Sequence, residues 1–329
     1  MLAWLAGGAG GRTETRPIVI EAWREKTPSA TVSFLRQLVA TAKEAGLPPL
    51  RRPRALIVAA AEDLPADLPD QLARDEIAVH WWWGAVGRLD TATVVAVNRP
   101  PTTGMVGRQQ LLEAVVQATV TELSGPFLEV AAELAGWDGN PETLLEALRR
   151  AVSKTAEGDA VLPDRGDCPA GGNRPAQLAL LAWSGGLIDS WDGRVRWHPA
   201  YDLADPRTIS TRVWLAQHHA LLPRLDEVRE DFTDVVRRRA RIPLARLDEK
   251  YGPRSFGAPT DPATGSGTGR TLTAMELGSM WGANLNGHIA LNEVERRRLR
   301  VLWQSRNRLA HRIPLDAAQL HQLITELNA

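Results

Sequence analysis

The sequence predicts an α/β N-terminal region, built on a parallel or mixed sheet with a helical extension, followed by an all-α C-terminal domain. Three observations carry this prediction. Short apolar runs bounded by turn formers dominate the first hundred residues. From Val106 the apolar residues recur every three or four positions. Beyond Asp205 the same helical period continues without a strand-like run. At 329 residues the chain exceeds what one small core usually holds. The pattern places an α/β region with a helical lid-like extension at 1–153, a linker with a β-hairpin at 154–204 and a helical domain at 205–329.

Taken in order, Pro17-Ile18-Val19-Ile20-Glu21-Ala22-Trp23 reads as a buried strand. Pro28-Ser29 opens a helix whose apolar side is Val32, Leu35, Leu38, Val39 and Ala42, and Gly46-Leu47-Pro48-Pro49 stops it. Ala55–Ala60 is a second strand; Ile77–Trp83 and Thr93–Val97 are expected to be a third and a fourth. Runs without strict alternation, separated by a helix, imply a sheet covered on both faces. Helices follow around Leu111–Leu123, Phe127–Ala135 and Leu144–Leu148. The stretch 154–175, rich in Gly, Asp and Pro, reads as a linker. Residues 182–199 read as a hairpin turning at Asp192-Gly193. Candidate helices then cover 206–222, 224–240, 271–284, 291–312 and 315–328, with a Gly/Pro/Thr/Ser loop at Gly257–Gly269.

Charge and cysteine content narrow the function. Basic and acidic side chains balance at 39 each, so nothing global marks a nucleic-acid binder. Yet 19 of the basic and 14 of the acidic ones lie at or beyond Asp205, so that part carries about +5 and the rest about −5. A basic tail fits RNA contact, although on charge alone a solvated face is the plainer account. The single cysteine, Cys168, excludes an internal disulfide framework and a cysteine-based zinc site. The apolar start Met1–Ala6 is too short for a signal peptide, and no run reaches membrane-spanning length. The expectation is a cytoplasmic protein with no membrane contact.

Near the C-terminus, Arg306, Asn307 and His311 fall within two turns of one helix. An imidazole takes or gives a proton near neutral pH, and a guanidinium grips a phosphate oxygen pair with two donors. Together they are what metal-independent cleavage of an RNA backbone requires. Asn307 and His311 are i,i+4 neighbours, while Arg306 lies about 140° from His311 around the helix. The bland alternative makes the arginines surface charges and His311 a helix-terminal histidine favoured by the dipole.

The phrase Arg306-Asn307-Arg308-Leu309-Ala310-His311 resembles the Arg-Asn-x-x-x-His motif of HEPN domains, the helical domains of many prokaryotic toxins and antiviral ribonucleases. The resemblance covers roughly 205–329. It implies that two such helices meet across a homodimer to form one composite ribonuclease site. His311 would act on the 2′-hydroxyl or the leaving 5′-oxygen, Arg306 would hold the scissile phosphate, and Asn307 would orient the imidazole or a phosphate oxygen. No cofactor and no metal are implied. Glu276 and Asp231 are placed to support Arg306, ordinary surface acids being the plainer account of each. The run Glu293–Arg300 reads either as a salt-bridged surface or as a guide for RNA phosphates.

A fainter likeness concerns the N-terminal region. Ile18-Val19-Ile20-Glu21 and Ala55–Asp63 resemble strands of a STAND or AAA-type NTPase, and the helices from Val106 to Ala151 resemble its lid. The Gly-x-x-x-x-Gly-Lys-Ser/Thr loop is absent, and Gly7–Gly11 lacks its lysine. ATP hydrolysis is not expected. The combined expectation is the ribonuclease effector of a bacterial conflict or antiphage system, regulated by its N-terminal region or a partner protein. The rival is a non-catalytic adaptor that dimerises through the helical domain. Trp81-Trp82-Trp83 cannot all face one core from a strand, so part of that aromatic surface is expected to meet another domain or a partner, with base stacking the lesser option. His218-His219 has no companion ligands at metal spacing.

Overall fold

A computed structural model of the chain describes residues 18–25, 27–46, 55–61, 64–65, 68, 77–101, 103–155, 174–252 and 275–329. The glycine run 7–11, Glu62-Asp63, Cys168, most of the expected linker and the Gly257–Gly269 loop lie outside them. An N-terminal region with a small parallel sheet and helices precedes a largely helical C-terminal region. The chain divides into two compact units, residues 1–85 with 158–196, and residues 86–157 with 197–329.

In the first unit, β1 (Ile18–Glu21) pairs in parallel with β2 (Ala55–Val58), Ile18 opposite Ala55. The crossover helix α1 (Pro28–Glu44) begins on Pro28, whose fixed φ suits the first turn. It buries Val32 and Leu35 with Leu68 against Ile57, Leu64 and Ile77. The alternate residues Val19, Leu56 and Val58 are 59%, 56% and 40% exposed. The expected sheet covered on both faces is therefore a two-stranded one whose other face is open, among the described residues.

The expected third strand, Ile77–Trp83, carries no ladder pairing among the described residues; it is irregular chain that enters a turn at Trp83. Trp81 and Trp83 both pack on Trp183 of the short helix α2 (Leu180–Ser184), at ring-centroid distances of 5.9 and 6.2 Å. Trp82, between them, is 74% exposed. Gly84 then turns at φ +67°, where a Cβ would sit 3.1 Å from that of Ser190. Its N–H donates to Asp189 Oδ1 at 2.9 Å. Asp189 belongs to the hairpin β3 (Ile188–Trp191) and β4 (Arg194–Trp197). The turn is the expected one: Asp192 and Gly193 both have positive φ, as a two-residue hairpin loop demands.

The second unit is helical. The expected fourth strand is instead α3 (Arg88–Val97). Its β-branched residues suggested a strand, but Asp90 accepts the Gly87 N–H at 2.8 Å to start a helix. Thr91 and Val95, one turn apart, are then its fully buried positions. The helices α4 (Arg108–Ser124), α5 (Leu128–Leu134) and α6 (Leu144–Thr155) follow as expected. After the single-turn α7 (Pro199–Asp202), the helices expected over 206–222 and 224–240 are one, α8 (Pro206–Arg239). Pro223 lies inside it, so packing along 34 residues, about 50 Å, outweighs one missing N–H.

Two cores lie along this spine. Val95, Val116, Val120, Leu123, Leu134, Leu148 and Ile209 share one. Val115, Leu221, Leu225 and Phe232 share the other with α9 (Leu244–Tyr251), α10 (Leu277–Leu285), α11 (Glu293–Ala310) and α12 (Ala317–Leu327). Because α4 contributes to both cores, residues 86–157 group with the C-terminal helices rather than with the sheet region. Buried charges are tied in place. Arg99 pairs with Glu113 and donates to the Ala135 and Trp137 carbonyls at 2.7 and 2.9 Å. Arg212 pairs with Asp202 and donates to the Leu123 carbonyl at 3.0 Å. No helix among the described residues is long and apolar enough to cross a membrane.

Candidate functional site

The site is built on α11, and its sequence explains why the helix starts and ends where it does. Asn292 accepts the Glu295 N–H and Glu295 accepts the Asn292 N–H, both at 2.8 Å, a reciprocal cap of the first turn. Glu295 also receives two hydrogen bonds from Arg239 at 3.0 Å, joining the start of α11 to the end of α8. Burial alone would raise the Glu295 carboxyl, but these donors outweigh it and hold it below the usual range. Leu299, Leu302, Ser305 and Leu309 form the buried side. Arg296, Arg300, Asn307 and His311 consequently share the opposite side, with His311 exposed and Asn307 half-buried.

At the other end His311 is the residue that closes the helix, its N–H reaching the Asn307 and Arg308 carbonyls at 2.9 and 3.1 Å. Arg312 then adopts φ +60°, and the N–H groups of Arg312 and Ile313 return to Leu309 and Arg308. This is a Schellman closure with arginine where glycine is usual. The Arg312 guanidinium lies over the Trp214 ring at 5.7 Å, while Trp214 Nε1 donates to the Leu309 carbonyl at 2.6 Å. Gln217, on the same helix as Trp214, exchanges two hydrogen bonds with the Leu315 backbone, at 3.0 and 2.7 Å. The end of α11 is thus fixed from α8, and His311 stands on a closed cap rather than a frayed end.

Arg306 points to the side, where its guanidinium meets Glu276 Oε2 at 3.5 Å. Of the two acids singled out from sequence, Glu276 reaches it and Asp231 makes no ion pair with it. Both partners are about half exposed, a setting in which a pair is worth about 0–1 kcal/mol. That is enough to aim the guanidinium and too little to keep a phosphate away. Within one chain Arg306, Asn307 and His311 make no hydrogen bonds to one another through their side chains; Arg306 and His311 are exposed and Asn307 is half-buried.

Two neighbours were missed in the sequence. Trp303, one turn before Arg306, stacks on Trp281 of α10 with centroids 5.5 Å apart and planes 13° from parallel. Gly278, on the same helix as Trp281, lies beside the Trp303 ring, where a Cβ would make an ordinary contact at 3.4 Å from Nε1. The only prior sign was the spacing Trp303–Arg306; the partner on α10 required the fold. Elsewhere, His219 Nδ1 is 3.5 Å from Glu122, which also pairs with Arg88, and His218 packs on Trp214. Among the described residues no group of three His, Cys, Asp or Glu side chains is placed to hold a metal ion.

No protein-family model matches the chain, and comparison with curated proteins and with solved structures returned no match.

Proposed function

We propose that the helical unit is a metal-independent endoribonuclease of the HEPN kind, the output end of a bacterial conflict system regulated by the rest of the chain or by a partner protein. One observation carries this reading. Arg306, Asn307 and His311 lie within the last two turns of the capped helix α11, His311 exposed at its end and Arg306 paired with Glu276 on its flank. The chemistry is an internal transesterification. The RNA 2′-oxygen gives up its proton and bonds to phosphorus, the bond from phosphorus to the 5′-oxygen breaks, and that oxygen takes a proton. The products are a 2′,3′-cyclic phosphate and a 5′-hydroxyl. An imidazole serves as base on one side of the phosphorus and as acid on the other, so two copies of α11 facing each other supply both. Arg306 meets the extra negative charge of the five-coordinate phosphorus with two donors.

The test uses RNA and purified full-length protein. His311→Ala is expected to lower cleavage at least about 100-fold, the range of a lost general acid–base group. Its melting temperature should stay unchanged, because the side chain is exposed. Arg306→Lys should fail to restore the rate, because the ammonium lacks the planar fork. A His311→Ala protein that cleaves at the wild-type rate would overturn the assignment. A protein that cleaves no RNA but dimerises through these helices would establish the adaptor function instead.

A further inference from the structure

On the rim of the α10–α11 pair, cation and aromatic alternate. Arg300, Trp303 and Arg306 follow at i, i+3 and i+6 along α11, so their Cα atoms climb about 4.5 Å per step. Trp303 is backed by Trp281 in a nearly parallel stack. Both indoles are partly exposed, and neither indole N–H donates a hydrogen bond among the described residues. Arg300 is exposed and has no ion-pair partner there, and Arg306 has only Glu276. An indole backed by a second ring, with an arginine three residues before it and another three residues after, matches a ligand that is itself a planar ring between two anions.

We infer that the Trp281–Trp303 pair is a stacking platform for one base of single-stranded RNA, with Arg300 and Arg306 holding the phosphates on either side of that nucleotide. The choice of RNA rests on the ribonuclease reading. A base of a duplex is stacked on its neighbours and closed to the platform, whereas a single strand can splay one out onto an aromatic face. Stacking tolerates any base, since every base has a π face. The platform therefore sets where the strand lies rather than which sequence is cut. A protein partner would have to bring both an aromatic or apolar group and two acids in matching register. One nucleotide flanked by its phosphates carries all three.

The test measures binding to the full-length His311→Ala protein, which leaves the RNA uncut. An oligoribonucleotide is compared with a ribose-phosphate chain of equal length without bases. The intact strand should bind about tenfold more tightly or better. Trp281→Leu with Trp303→Leu should remove that preference, and Trp303→Phe should keep most of it. Arg300→Ala should weaken both ligands alike and reduce the salt dependence by about one ion. Photocrosslinking of 4-thiouridine RNA to the unsubstituted protein should mark the Trp281 or Trp303 peptide, a readout that needs no folded variant. Equal binding of the two strands, or a preference that survives the double leucine change, overturns the platform. So does a dimer that the leucine changes dissociate while RNA affinity is unaltered, which would assign the pair to a second copy. Base-dependent binding without cleavage by the wild type would remove the ribonuclease reading alone. Cleavage without base dependence would remove the platform alone.

Discussion

Asp189 shows how a single side chain can work against the stability it helps to organise. Its Oδ1 accepts the Gly84 and Ser190 N–H groups at 2.9 and 2.7 Å, pinning the turn after the tryptophan run to β3. Burial raises its carboxyl above the usual range, more than those two donors lower it. The folded form therefore binds the proton more readily than the unfolded one, and stability from this group falls as pH rises through the raised value. Asp189→Asn keeps the accepting oxygen and removes the charge. It should raise the melting temperature at pH 7, with the gain shrinking as the pH approaches the usual carboxylate range; a variant less stable than wild type at pH 7 would refute this. Glu113 has the opposite sign. Burial raises it, but hydrogen bonds from Arg99 and Gln117 hold it down, so its contribution is lost on acidification. None of this was legible in the sequence. Arg306, Asn307 and His311 were singled out by type and spacing, and Glu276 as an acid on a neighbouring helix. Asp189 and the Trp281–Trp303 pair owe their character to partners distant in the chain, which no local pattern encodes.

Among the elements, those whose ends carry their own chemistry were the most readable. For α11 the capping pair Asn292 and Glu295 lies in the sequence, and the helix starts within two residues of its expected position. For α3 the β-branched run misled, because strand preference reports packing on a pleated surface and this segment had a helix cap and an i,i+4 core contact instead. For α8 proline misled, because its cost of about 3 kcal/mol is small beside the burial spread over a long helix. The C-terminal closure of α11 supports a sharper expectation. Arg312 occupies a left-handed conformation that disfavours a Cβ by about 1–2 kcal/mol, and its guanidinium gains part of that back over Trp214. Arg312→Ala loses the ring contact and keeps the strain, whereas Arg312→Gly loses the contact and relieves the strain. Chemical denaturation should place the glycine variant about 1 kcal/mol above the alanine variant. Equal stabilities would mean that the closure carries no strain.

Across the whole molecule, the sequence separated strand-bearing from helical regions, and the compact units divide the chain at other points than its composition does. A boundary at 205 looked natural because the composition changes there. The packing runs across it: α4 places Val115 in one core and Val116, Val120 and Leu123 in the other, and α8 spans both. Residues 205–329 produced alone should therefore fail to fold cooperatively. They would lack α4, which places Val115 in one core, shares the other with Ile209 and accepts the Arg212 hydrogen bond through the Leu123 carbonyl. Thermal unfolding followed by circular dichroism checks this, and a sharp transition in that fragment would refute it. The same architecture bears on Gln217. A primary amide offers one donor and one acceptor side by side, as a peptide group does, so toward Leu315 the flank of a helix behaves like the edge of a neighbouring strand. Glutamate has the same shape but no hydrogen to give, which makes this position a reader of atom type rather than of size or polarity. The turn after α11 is thus held by one amide whose nitrogen gives a hydrogen and whose oxygen receives one.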